Sequence, residues 1–462
     1  MFNLYINILF FVQYLVFYPD IVQKKPNKLY KLIVFACLQG DIMDKGDNYE
    51  VKDIKLAQQG RMNIEIAESN MGALLEIKKR FEKEKPLKGV KVGLALHVTK
   101  ETAVLVRTLI AGGAEVAITG CNPLSTQDDV AAALAEEGVN VWAYKGENDK
   151  DYYRYLGNVI AFRPNITIDD GCDLVSEIHK NHKELIPKII GGCEETTTGI
   201  IRLKAMEKDK ALKYPMIAVN DNKTKHLLDN YYGTGQSTVD GIIRATNILF
   251  AGKNVVVVGY GSCGKGFAMR AKGLGSNVIV TEVANFPALQ AAYDGFRVMK
   301  MEDACRIGDI FCTLTGNKHV IRTEHMKKMK DGAILANSGH FDIEIDIKGL
   351  KQISSSVRRV RPFLDEYIVG GKKIFVCGEG RLVNLAAAEG HPSEVMSTSF
   401  CGQALAVEYC VRNKGKMPVS VIQLPEEIDD RIAKLQLEAM GIDIDKLTEE
   451  QKKYLSSWQE GT

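Results

Sequence analysis

The chain has 462 residues, of which 45% are hydrophobic and 26% charged, and its formal net charge at pH 7 is +2. This length exceeds what one hydrophobic core usually supports, so we expect two or three domains. The small net charge argues against a nucleic acid or an anionic membrane as a partner. Ten cysteines and eight histidines are scattered without any CxxC pair. This pattern indicates the reduced thiols of a cytoplasmic protein and predicts no metal site.

The first segment, residues 1–42, contains an apolar and aromatic run from Leu4 to Tyr18. The run is short for a membrane span. No Lys or Arg precedes Lys24, and no small-residue cleavage site follows, so a secretory signal fits poorly. We therefore predict that residues 1–42 are a non-native or disordered leader and that Met43 is the natural start.

From Gly89 onward, short β-rich runs alternate with amphipathic stretches, which is typical of a parallel sheet covered by helices. The predicted strands are 90–97, 115–120, 140–144, 165–169, 188–191 and 216–220, and the predicted helices are 99–111, 126–137, 152–162, 174–185 and 198–212. Several strands end in polar residues, and the carboxyl ends of parallel strands are where such sheets bind ligands. These residues are His97, Asp169, Asp170, Glu194, Glu195, Asn220 and Asp221.

A second alternating unit begins near Gly233 and runs to about Glu389. It is followed by a predicted helix, a crossing segment at Pro418 to Pro425 and a charged helical tail. The predicted fold class is therefore α/β, with two doubly wound parallel-sheet domains and a small helical C-terminal tail. The predicted boundaries are 43–232 for the first domain, with 390–425 packing back on it, 233–389 for the second, Rossmann-type domain, and 426–462 for the tail.

Three glycines in the second domain have the spacing G-x-G-x-x-G. Gly259, Gly261 and Gly264 follow the apolar strand 254–258 and open a predicted helix at 266–273. Such glycines let the backbone approach a pyrophosphate, whose charge meets the N-terminus of the helix. In this context the motif predicts a dinucleotide-binding turn.

The next predicted strand of the second domain, 277–281, ends in Glu282, eighteen residues after Gly264. A carboxylate there can accept hydrogen bonds from ribose hydroxyls and would repel a 2′-phosphate. No Lys or Arg occurs in residues 283–285. The sequence therefore predicts NAD rather than NADP as the cofactor.

Ionisable residues of the first domain are candidates for chemistry. Lys225 and Asp229 are four residues apart and share a face if 223–231 is helical, which would orient the lysine and supply a proton partner. Taken alone, such a pair is more often a surface ion pair. The glutamates at 194–195 precede a threonine run and fit helix capping equally well. His97 alone is more often a satisfied core histidine.

Seven segments of the chain, within residues 49–462, together resemble S-adenosylhomocysteine hydrolases, in particular the short, archaeal-like form of that family. The segments are Leu-His-Val-Thr-Lys-Glu-Thr-Ala-Val at 96–104, Cys-Asn-Pro-Leu-Ser-Thr-Gln-Asp at 121–128, Asp-Asp-Gly at 169–171, Glu-Glu-Thr-Thr-Thr-Gly at 194–199, Asn220-Asp221 with Lys225 and Asp229-Asn230, Gly-His-Phe-Asp at 339–342, and Glu-Gly-Arg-Leu-Val-Asn-Leu at 379–385 followed by Gly-His-Pro-Ser at 390–393. Seven blocks in the family's order make this resemblance specific.

The resemblance implies a reversible, redox-neutral hydrolysis of S-adenosyl-L-homocysteine to adenosine and L-homocysteine, with tightly bound NAD. Oxidation of the ribose 3′-hydroxyl makes the 4′-hydrogen acidic, so homocysteine can be eliminated. Water then adds to the enone, and return of the hydride gives adenosine. The resemblance also implies a homotetramer or homodimer in the cytoplasm, with a small-molecule substrate and neither a nucleic acid nor a membrane as partner.

The resemblance assigns roles to individual residues. Lys225 and Asp229 would serve the oxidation of the 3′-hydroxyl, and His97, Asp170 and Glu195 would position the sugar and handle protons at C4′ and C5′. The implied NAD-binding residues are Thr196, Thr197, Thr198, Asn230, Gly259, Gly261, Ser262, Cys263, Gly264, Glu282, Asn317, Gly339, His340 and Asn384. The implied substrate-binding residues are Thr99, Glu101, Thr102, Ser125, His340, His391, Met396 and Phe400, and no metal ligand is implied.

Three features depart from the family's pattern. Thr234 stands where the family commonly has a cysteine, and Glu389 stands where many members have a methionine near the base. The chain ends at Thr462 without the Lys and Tyr tail that many relatives extend into a neighbouring subunit's NAD site. We therefore expect weaker retention of the cofactor.

Three alternatives remain open at this point. The first is the same chemistry on the inosine analogue, although Glu101 favours a base that carries an amine. The second is a catalytically silent paralogue that binds NAD and a partner protein. The third is an NAD-dependent dehydrogenase of small hydroxy acids, which would accumulate NADH where a hydrolase would not.

Overall fold

The computed structural model describes residues 44–46 and 48–459 of the chain, so the predicted leader at 1–42 lies outside the described residues. The described part contains two large sheets, each covered by helices. None of its helices is long and apolar enough to cross a membrane. The α/β class that the alternating pattern predicts is confirmed.

The first sheet has nine strands among the described residues, and all of its neighbours pair in parallel except the first two. Its strands run in the order β1-β2-β5-β4-β3-β6-β7-β8, with Val421–Ile422 at the far edge. The strands are β1 (Asp44–Lys45), β2 (Tyr49–Val51), β3 (Lys91–Ala95), β4 (Glu115–Thr119), β5 (Asn140–Ala143), β6 (Ile166–Asp169), β7 (Gly191–Glu194) and β8 (Met216–Ala218).

The second sheet has eight strands in the described part of the chain, in the order β11-β10-β9-β12-β13-β16-β15-β14. Its last two pairings, β16 with β15 and β15 with β14, are antiparallel, and the others are parallel. The strands are β9 (Asn254–Val258), β10 (Asn277–Thr281), β11 (Arg297–Val298), β12 (Ile310–Thr313), β13 (Ala333–Asn337), β14 (Ser356–Arg361), β15 (Leu364–Val369) and β16 (Lys372–Cys377).

Both sheets contain the same doubly wound arrangement. Six strands of each follow the order 3-2-1-4-5-6, which reverses direction between β3 and β6 in the first sheet and between β9 and β12 in the second. Ligands bind at the carboxyl ends of the strands where this reversal leaves a crevice. The topology therefore places one crevice at each sheet.

Helices cover the faces of both sheets. The α-helices are Ala57–Ser69, Gly72–Glu84, Lys100–Ala111, Asp128–Glu136, Asp149–Ala161, Asp173–Asn181, Thr197–Lys208, Thr234–Thr246, Ser262–Gly273, Asn285–Tyr293, Met301–Ile307, Thr323–Met326, Ile347–Ile353, Val383–Ala386, Ser393–Arg412, Glu426–Ala439 and Glu449–Leu455. A π-helix spans Thr224–Gly233, and 3₁₀ turns span Ile54–Leu56, Lys183–Lys188, Val219–Asp221 and Gly378–Gly380.

The helix Ser393–Arg412 returns to the first sheet after the chain has completed the second. Its residues Phe400, Cys401, Leu405 and Val407 are buried in the same apolar core as strands β3 to β5. Burying such side chains is the main source of stability at this contact, at about 1.5–3 kcal/mol for each large one. This helix therefore brings its polar side chains to the carboxyl end of the first sheet.

Two of the differences between predicted and observed element bounds have a clear structural cause. The strand predicted at 188–191 begins at Gly191, because a 3₁₀ turn containing Pro187 precedes it. The glycines of this strand serve packing, since a Cβ on Gly192 would lie 2.4 Å from Thr167 Oγ1. The helix predicted from Gly266 begins at Ser262. Gly266 therefore lies inside this helix. A Cβ on it would lie 1.8 Å from the carbonyl oxygen of Tyr231, so this glycine permits the close approach of two helices.

Glu147 is a buried acidic residue beside the first sheet, and its protonation affects the stability of the protein. Its side chain is 4% exposed, and neither carboxylate oxygen has a hydrogen-bond partner among the described residues. Burial raises its pKa to about 8, and Asp151 adds to the effect. The folded protein therefore holds a proton that the unfolded chain loses above pH 4.5, and the free energy of unfolding falls as the pH rises from about 4.5 to about 8.

The variant Glu147→Gln should remove this part of the pH dependence. Its unfolding free energy should match that of the unmodified protein at pH 5 and exceed it by about 2–4 kcal/mol at pH 8.5. Urea unfolding at both pH values measures the difference. Glu82→Gln, a change at an exposed position, is the control and should leave the pH dependence unaltered. Equal pH dependence in Glu147→Gln and the unmodified protein would contradict the argument.

Candidate active site

A central cavity lies between the two sheets, at the carboxyl ends of their strands. His97 follows β3 and Asp170 follows β6, the two adjacent strands at the reversal point of the first sheet. Glu195 follows β7, the next strand along. The alternating pattern of the sequence is thus sufficient to bring these three side chains to one crevice.

The π-helix Thr224–Gly233 supplies Lys225, Asp229 and Asn230. Lys225 Nζ lies 2.9 Å from Asp229 Oδ2 and donates a hydrogen bond of 2.8 Å to Asn230 Oδ1. A π-helix has more residues per turn than an α-helix, so positions i+4 and i+5 both face residue i. This rare element therefore lets one lysine contact two successive residues.

Lys225 is held in a buried, mainly acidic setting. Its Nζ also lies 3.4 Å from Glu195 Oε1. Burial alone would lower the pKa of Lys225, but Asp229 and Glu195 outweigh it and raise the pKa above the usual value. For Asp229, burial would raise the pKa, and Lys225 and His391 together bring it below the usual range. Both groups are therefore charged at neutral pH.

Glu195 differs from Asp229 in its charge state. Burial raises its pKa to about 7, although Lys225 acts in the opposite direction. Gln403, on the helix Ser393–Arg412, donates a hydrogen bond from Nε2 to Glu195 Oε2. The Glu195 carboxyl is therefore fixed in position and poised to gain or lose a proton near neutral pH.

His97 is neutral at physiological pH. Burial lowers its pKa to about 4, although the carboxylate of Asp170 acts against this. Its Nε2 lies 3.4 Å from Asp170 Oδ2, and its Nδ1 lies 2.8 Å from Ser125 Oγ. Ser125, a predicted substrate-binding residue, does not line the central cavity. It contacts the ring nitrogen of His97 that faces away from Asp170. A neutral imidazole so held can accept a proton.

Asp229 is also contacted from the C-terminal part of the chain. His391 Nδ1 contacts Asp229 Oδ1, and Ser399 Oγ donates a hydrogen bond of 2.7 Å to Asp229 Oδ2. The hydroxyl of Thr234 lies 3.2 Å from His391 Nε2. With the proton of the imidazole directed at Asp229, this hydroxyl donates to the other ring nitrogen. Thr234 therefore sets the orientation of His391.

Glu101 lines one end of the central cavity, and Lys100, which does not line it, pairs with Glu101. Glu101 is 2% exposed and accepts a hydrogen bond of 2.8 Å from Ser393 Oγ. Lys100 Nζ lies 3.6 Å from Glu101 Oε1 and 2.8 Å from Glu389 Oε2, and Glu389 also pairs with Arg244. This end of the cavity therefore offers a hydrogen-bond acceptor, Glu101, with a cation paired to it outside the cavity lining.

The glycine turn lines a second cavity of about 670 Å³, which we call the turn-side cavity. A Cβ on Gly261 would meet nothing within 4 Å, so the space beside this turn is open. Glu282 accepts hydrogen bonds from the backbone of Tyr260, Val283 and Ala284 and thus lies at the end of β10, beside the turn. This arrangement fits a dinucleotide whose pyrophosphate meets the turn and whose ribose meets the carboxylate.

Asn384 is a second residue whose polar atoms fit a bound polar ligand. Its Nδ2 donates to Ser237 Oγ, whereas its Oδ1 is buried without a hydrogen-bond partner among the described residues. Buried polar atoms in native proteins are normally paired. Asn384 lines the central cavity, so an amide donor of a bound cofactor would satisfy this oxygen.

Nearly all of the residues that the sequence singles out line these two cavities. The central cavity is lined by His97, Thr99, Glu101, Thr102, Asp170, Glu195, Thr196, Lys225, Asp229, Asn230, Cys263, His340, Asn384, His391, Met396 and Phe400. The turn-side cavity is lined by Thr196, Thr197, Thr198, Asn230, Gly259, Gly261, Ser262, Cys263, Glu282, Asn317, Gly339 and His340. Four residues occur in both sets, so the two cavities adjoin.

Gly264 lines neither cavity, because it lies in the first turn of the helix Ser262–Gly273. Its role is steric, since a Cβ there would lie 2.0 Å from the carbonyl oxygen of Gly259. Sequence reasoning missed Gln403 and Ser399. The only signal for them is that they follow Met396 and Phe400 at helical spacing on Ser393–Arg412.

The fold and the two cavities define an enzyme class in which a Rossmann-type glycine turn faces a cluster of ionisable residues across a cleft. A family model described as S-adenosyl-L-homocysteine hydrolase matches residues 48–462. The chain therefore belongs to the S-adenosyl-L-homocysteine hydrolase family, as the seven sequence segments indicate, and it is an enzyme.

Proteins with curated names support the same family. The chain is 60% identical over 414 residues to the S-inosyl-L-homocysteine hydrolase of Methanocaldococcus jannaschii, a match that covers 90% of this chain and 100% of that protein. It is 59% identical over 416 residues to the adenosylhomocysteinase of Sulfolobus acidocaldarius, with the same coverage. The adenosylhomocysteinase of Aquifex aeolicus is 56% identical over 416 residues, again with 90% and 100% coverage.

Proposed function

We propose that the chain hydrolyses S-adenosyl-L-homocysteine reversibly to adenosine and L-homocysteine, with NAD as a resident cofactor. The observation that carries this proposal is the buried cluster of Lys225, Asp229 and Glu195 beside the glycine turn. The proposal includes a substrate-binding domain at 43–232 with 390–425, an NAD-binding domain at 233–389, and a homotetramer or homodimer in the cytoplasm.

NAD, when bound, supplies a hydride acceptor. The C3′–H bond of the ribose breaks during the oxidation. The charged ammonium of Lys225 stabilises the negative charge that develops on the 3′-oxygen. Asp229, held by His391 and Ser399, fixes that ammonium in place. The resemblance placed Glu195 at C4′ and C5′, but it lies 3.4 Å from Lys225 and has a pKa of about 7, so we assign it the proton of the 3′-hydroxyl.

The elimination of homocysteine involves the residues that follow β3 and β6. His97 is neutral and can accept the 4′-proton, and the carboxylate of Asp170 stabilises the resulting imidazolium. The imidazolium can then return the proton to the leaving sulfur. Asp170 is buried and His97 is 16% exposed, so contact of these groups with bulk water is limited while the ketone is present.

The proposal is tested by incubating the purified protein, loaded with NAD, with the adenosyl and the inosyl thioether and measuring released homocysteine. We expect release of homocysteine without net accumulation of NADH. Accumulation of NADH would indicate an ordinary dehydrogenase. Absence of both products would indicate a silent paralogue, and the proposal would be rejected.

Hydrolysis of S-inosyl-L-homocysteine is a second candidate, because Lys100 lies beside Glu101. The adenine amine is a donor that the carboxylate of Glu101 can accept, whereas the 6-oxygen of hypoxanthine is an acceptor that suits the ammonium of Lys100. Glu101 is the more buried of the two and is already oriented by Ser393. We therefore favour the adenosyl substrate.

The variant Glu101→Gln tests the choice of base. An amide can donate as well as accept, so the ratio of kcat/KM for the adenosyl over the inosyl substrate should fall by about 10- to 100-fold. Steady-state kinetics with both substrates measures this ratio. Glu389→Gln is the matched control, because Glu389 pairs with the same lysine from the half-exposed rim, and it should change the ratio less than threefold. An unchanged ratio in Glu101→Gln would contradict this assignment.

A further inference from the structure

His226 is a half-buried histidine beside the glycine turn that the proposed hydrolysis does not use. It follows Lys225 in the π-helix and lines the turn-side cavity. Its Nε2 lies 3.1 Å from Ser262 Oγ, and its Nδ1 lies 3.5 Å from Asn230 Nδ2. The imidazole therefore connects the π-helix to the glycine turn.

Ser262 is the first residue of the helix that follows the glycine turn. Backbone N–H groups at such a helix end have no partner within the helix and attract anions. In dinucleotide-binding turns this is where the pyrophosphate lies. Ser262 lines the turn-side cavity, so its hydroxyl is a further donor for a phosphate oxygen. A side chain that directs this hydroxyl therefore acts on the cofactor.

His226 is neutral at neutral pH. Burial lowers its pKa, and two lysines nearby, Lys225 and Lys265, add to this effect. Asp221 acts against them. A neutral imidazole has one N–H donor and one acceptor nitrogen, so its neighbours decide which nitrogen carries the hydrogen.

The neighbours of His226 place this hydrogen on Nε2. Asn230 Oδ1 accepts a hydrogen bond from the ammonium of Lys225, so Asn230 Nδ2 is the donating side of the amide. His226 Nδ1 therefore accepts from the amide, and Nε2 donates to Ser262 Oγ. Because the serine oxygen accepts from the imidazole, the hydroxyl hydrogen points away from the ring and can serve a ligand in the cavity.

We propose that His226 is a positioning residue for the cofactor, which directs the hydroxyl of Ser262 onto a phosphate oxygen of the bound pyrophosphate. The series of hydrogen bonds begins at Lys225, the lysine assigned to the 3′-hydroxyl, and passes through Asn230. It continues through the imidazole to the serine. The proposal rests on the part of the proposed function that places NAD at this turn.

Isothermal titration with NAD, on the full-length protein freed of cofactor, tests the proposal. His226→Phe, which removes both ring nitrogens, should weaken NAD binding about tenfold. His226→Gln should bind NAD within about threefold of the unmodified protein, because the glutamine amide can donate to the same hydroxyl. The control His182→Phe, at a half-buried position that lines neither cavity, should leave the affinity within about twofold. Equal losses in the two His226 variants, or no loss in either, would overturn the proposal.

Because His226 acts through Ser262, the effects of changing both residues should not add. Ser262→Ala should weaken NAD binding about tenfold by itself, and adding His226→Phe should weaken it by less than about twofold more. ADP, which keeps the diphosphate and lacks the nicotinamide, should show the same losses. Additive losses, unchanged NAD affinity in Ser262→Ala, or a loss for NAD without a loss for ADP would contradict the positioning role. Ser262→Ala removes a single oxygen, so it decides the question if His226→Phe does not fold.

This proposal and the proposed function fail in different ways. A protein that releases no homocysteine, but loses NAD affinity in His226→Phe and retains it in His226→Gln, would keep the positioning role and reject the hydrolase function. A protein that hydrolyses the thioether, but binds NAD with equal affinity in all of these variants, would reject the positioning role and keep the function.

Discussion

Lys225→Ala should lower kcat for hydrolysis by about 10³-fold or more, with NAD still bound. Lys225 supplies the positive charge that faces the 3′-oxygen in the proposed reaction, and in the structure it contacts Glu195, Asp229 and Asn230. Without it, Asp229 remains as a buried carboxylate that keeps only His391 and Ser399 as partners. Released homocysteine measures kcat, and the absorbance of reduced nicotinamide after addition of adenosine measures the oxidation half-reaction.

The matched control for this variant is Lys223→Ala, two residues earlier. Lys223 is 70% exposed and pairs with Glu426 on the surface, so its loss should change kcat less than twofold. Circular dichroism of both variants separates a loss of chemistry from a loss of fold. A Lys225→Ala enzyme that is folded, retains NAD and keeps more than a tenth of its activity would refute the proposed role of this lysine.

Gly264→Ala should weaken NAD binding by at least about 100-fold, which corresponds to about 2.7 kcal/mol. The added Cβ would lie 2.0 Å from the carbonyl oxygen of Gly259, a backbone atom that can move only if the turn itself is displaced. The turn is the element that would hold the pyrophosphate, so its displacement acts directly on the cofactor. Isothermal titration of the apoprotein with NAD measures the change.

Gly273→Ala is the control, because Gly273 ends the same helix and a Cβ there would meet nothing within 4 Å. This change should leave NAD affinity within twofold and should not reduce stability. If Gly264→Ala bound NAD within threefold of the unmodified protein, the turn would not be the pyrophosphate site, and the assignment of the second sheet would have to be revised.

The sequence was sufficient to place the residues that follow strands. His97 and Asp170 could be predicted because an alternating pattern fixes a parallel sheet, and a parallel sheet fixes where its strand ends meet. The glycine turn and Glu282 could be predicted for the same reason. Their roles as NAD ligands and as catalytic residues remain predictions that the variants above test.

Contacts that depend on helix type or on long-range packing could not be predicted. Helical spacing anticipated the pairing of Lys225 with Asp229 but not with Asn230, because an α-helix would turn position i+5 away and only a π-helix brings it back. Gln403 contacts Glu195 although the two residues are 208 positions apart in the chain. The apolar residues of its helix predict only that the helix packs on the first sheet, and not which polar side chain meets Glu195. Spacing along the chain likewise did not anticipate that the fold brings Cys121 to His97.

The π-helix continues directly into the helix Thr234–Thr246, and both are packed against the helix that begins at the glycine turn. A Cβ on Gly235 would lie 2.6 Å from the backbone of Gly266, so no side chain separates these elements. The π-helix is tied equally to the other side of the cleft, because Lys225 pairs with Glu195 and Asp229 accepts a hydrogen bond from Ser399. A shift of the glycine turn would therefore be passed on to the ionisable cluster through one continuous element. Occupancy of the cofactor turn and the arrangement of Lys225 and Asp229 should accordingly be coupled.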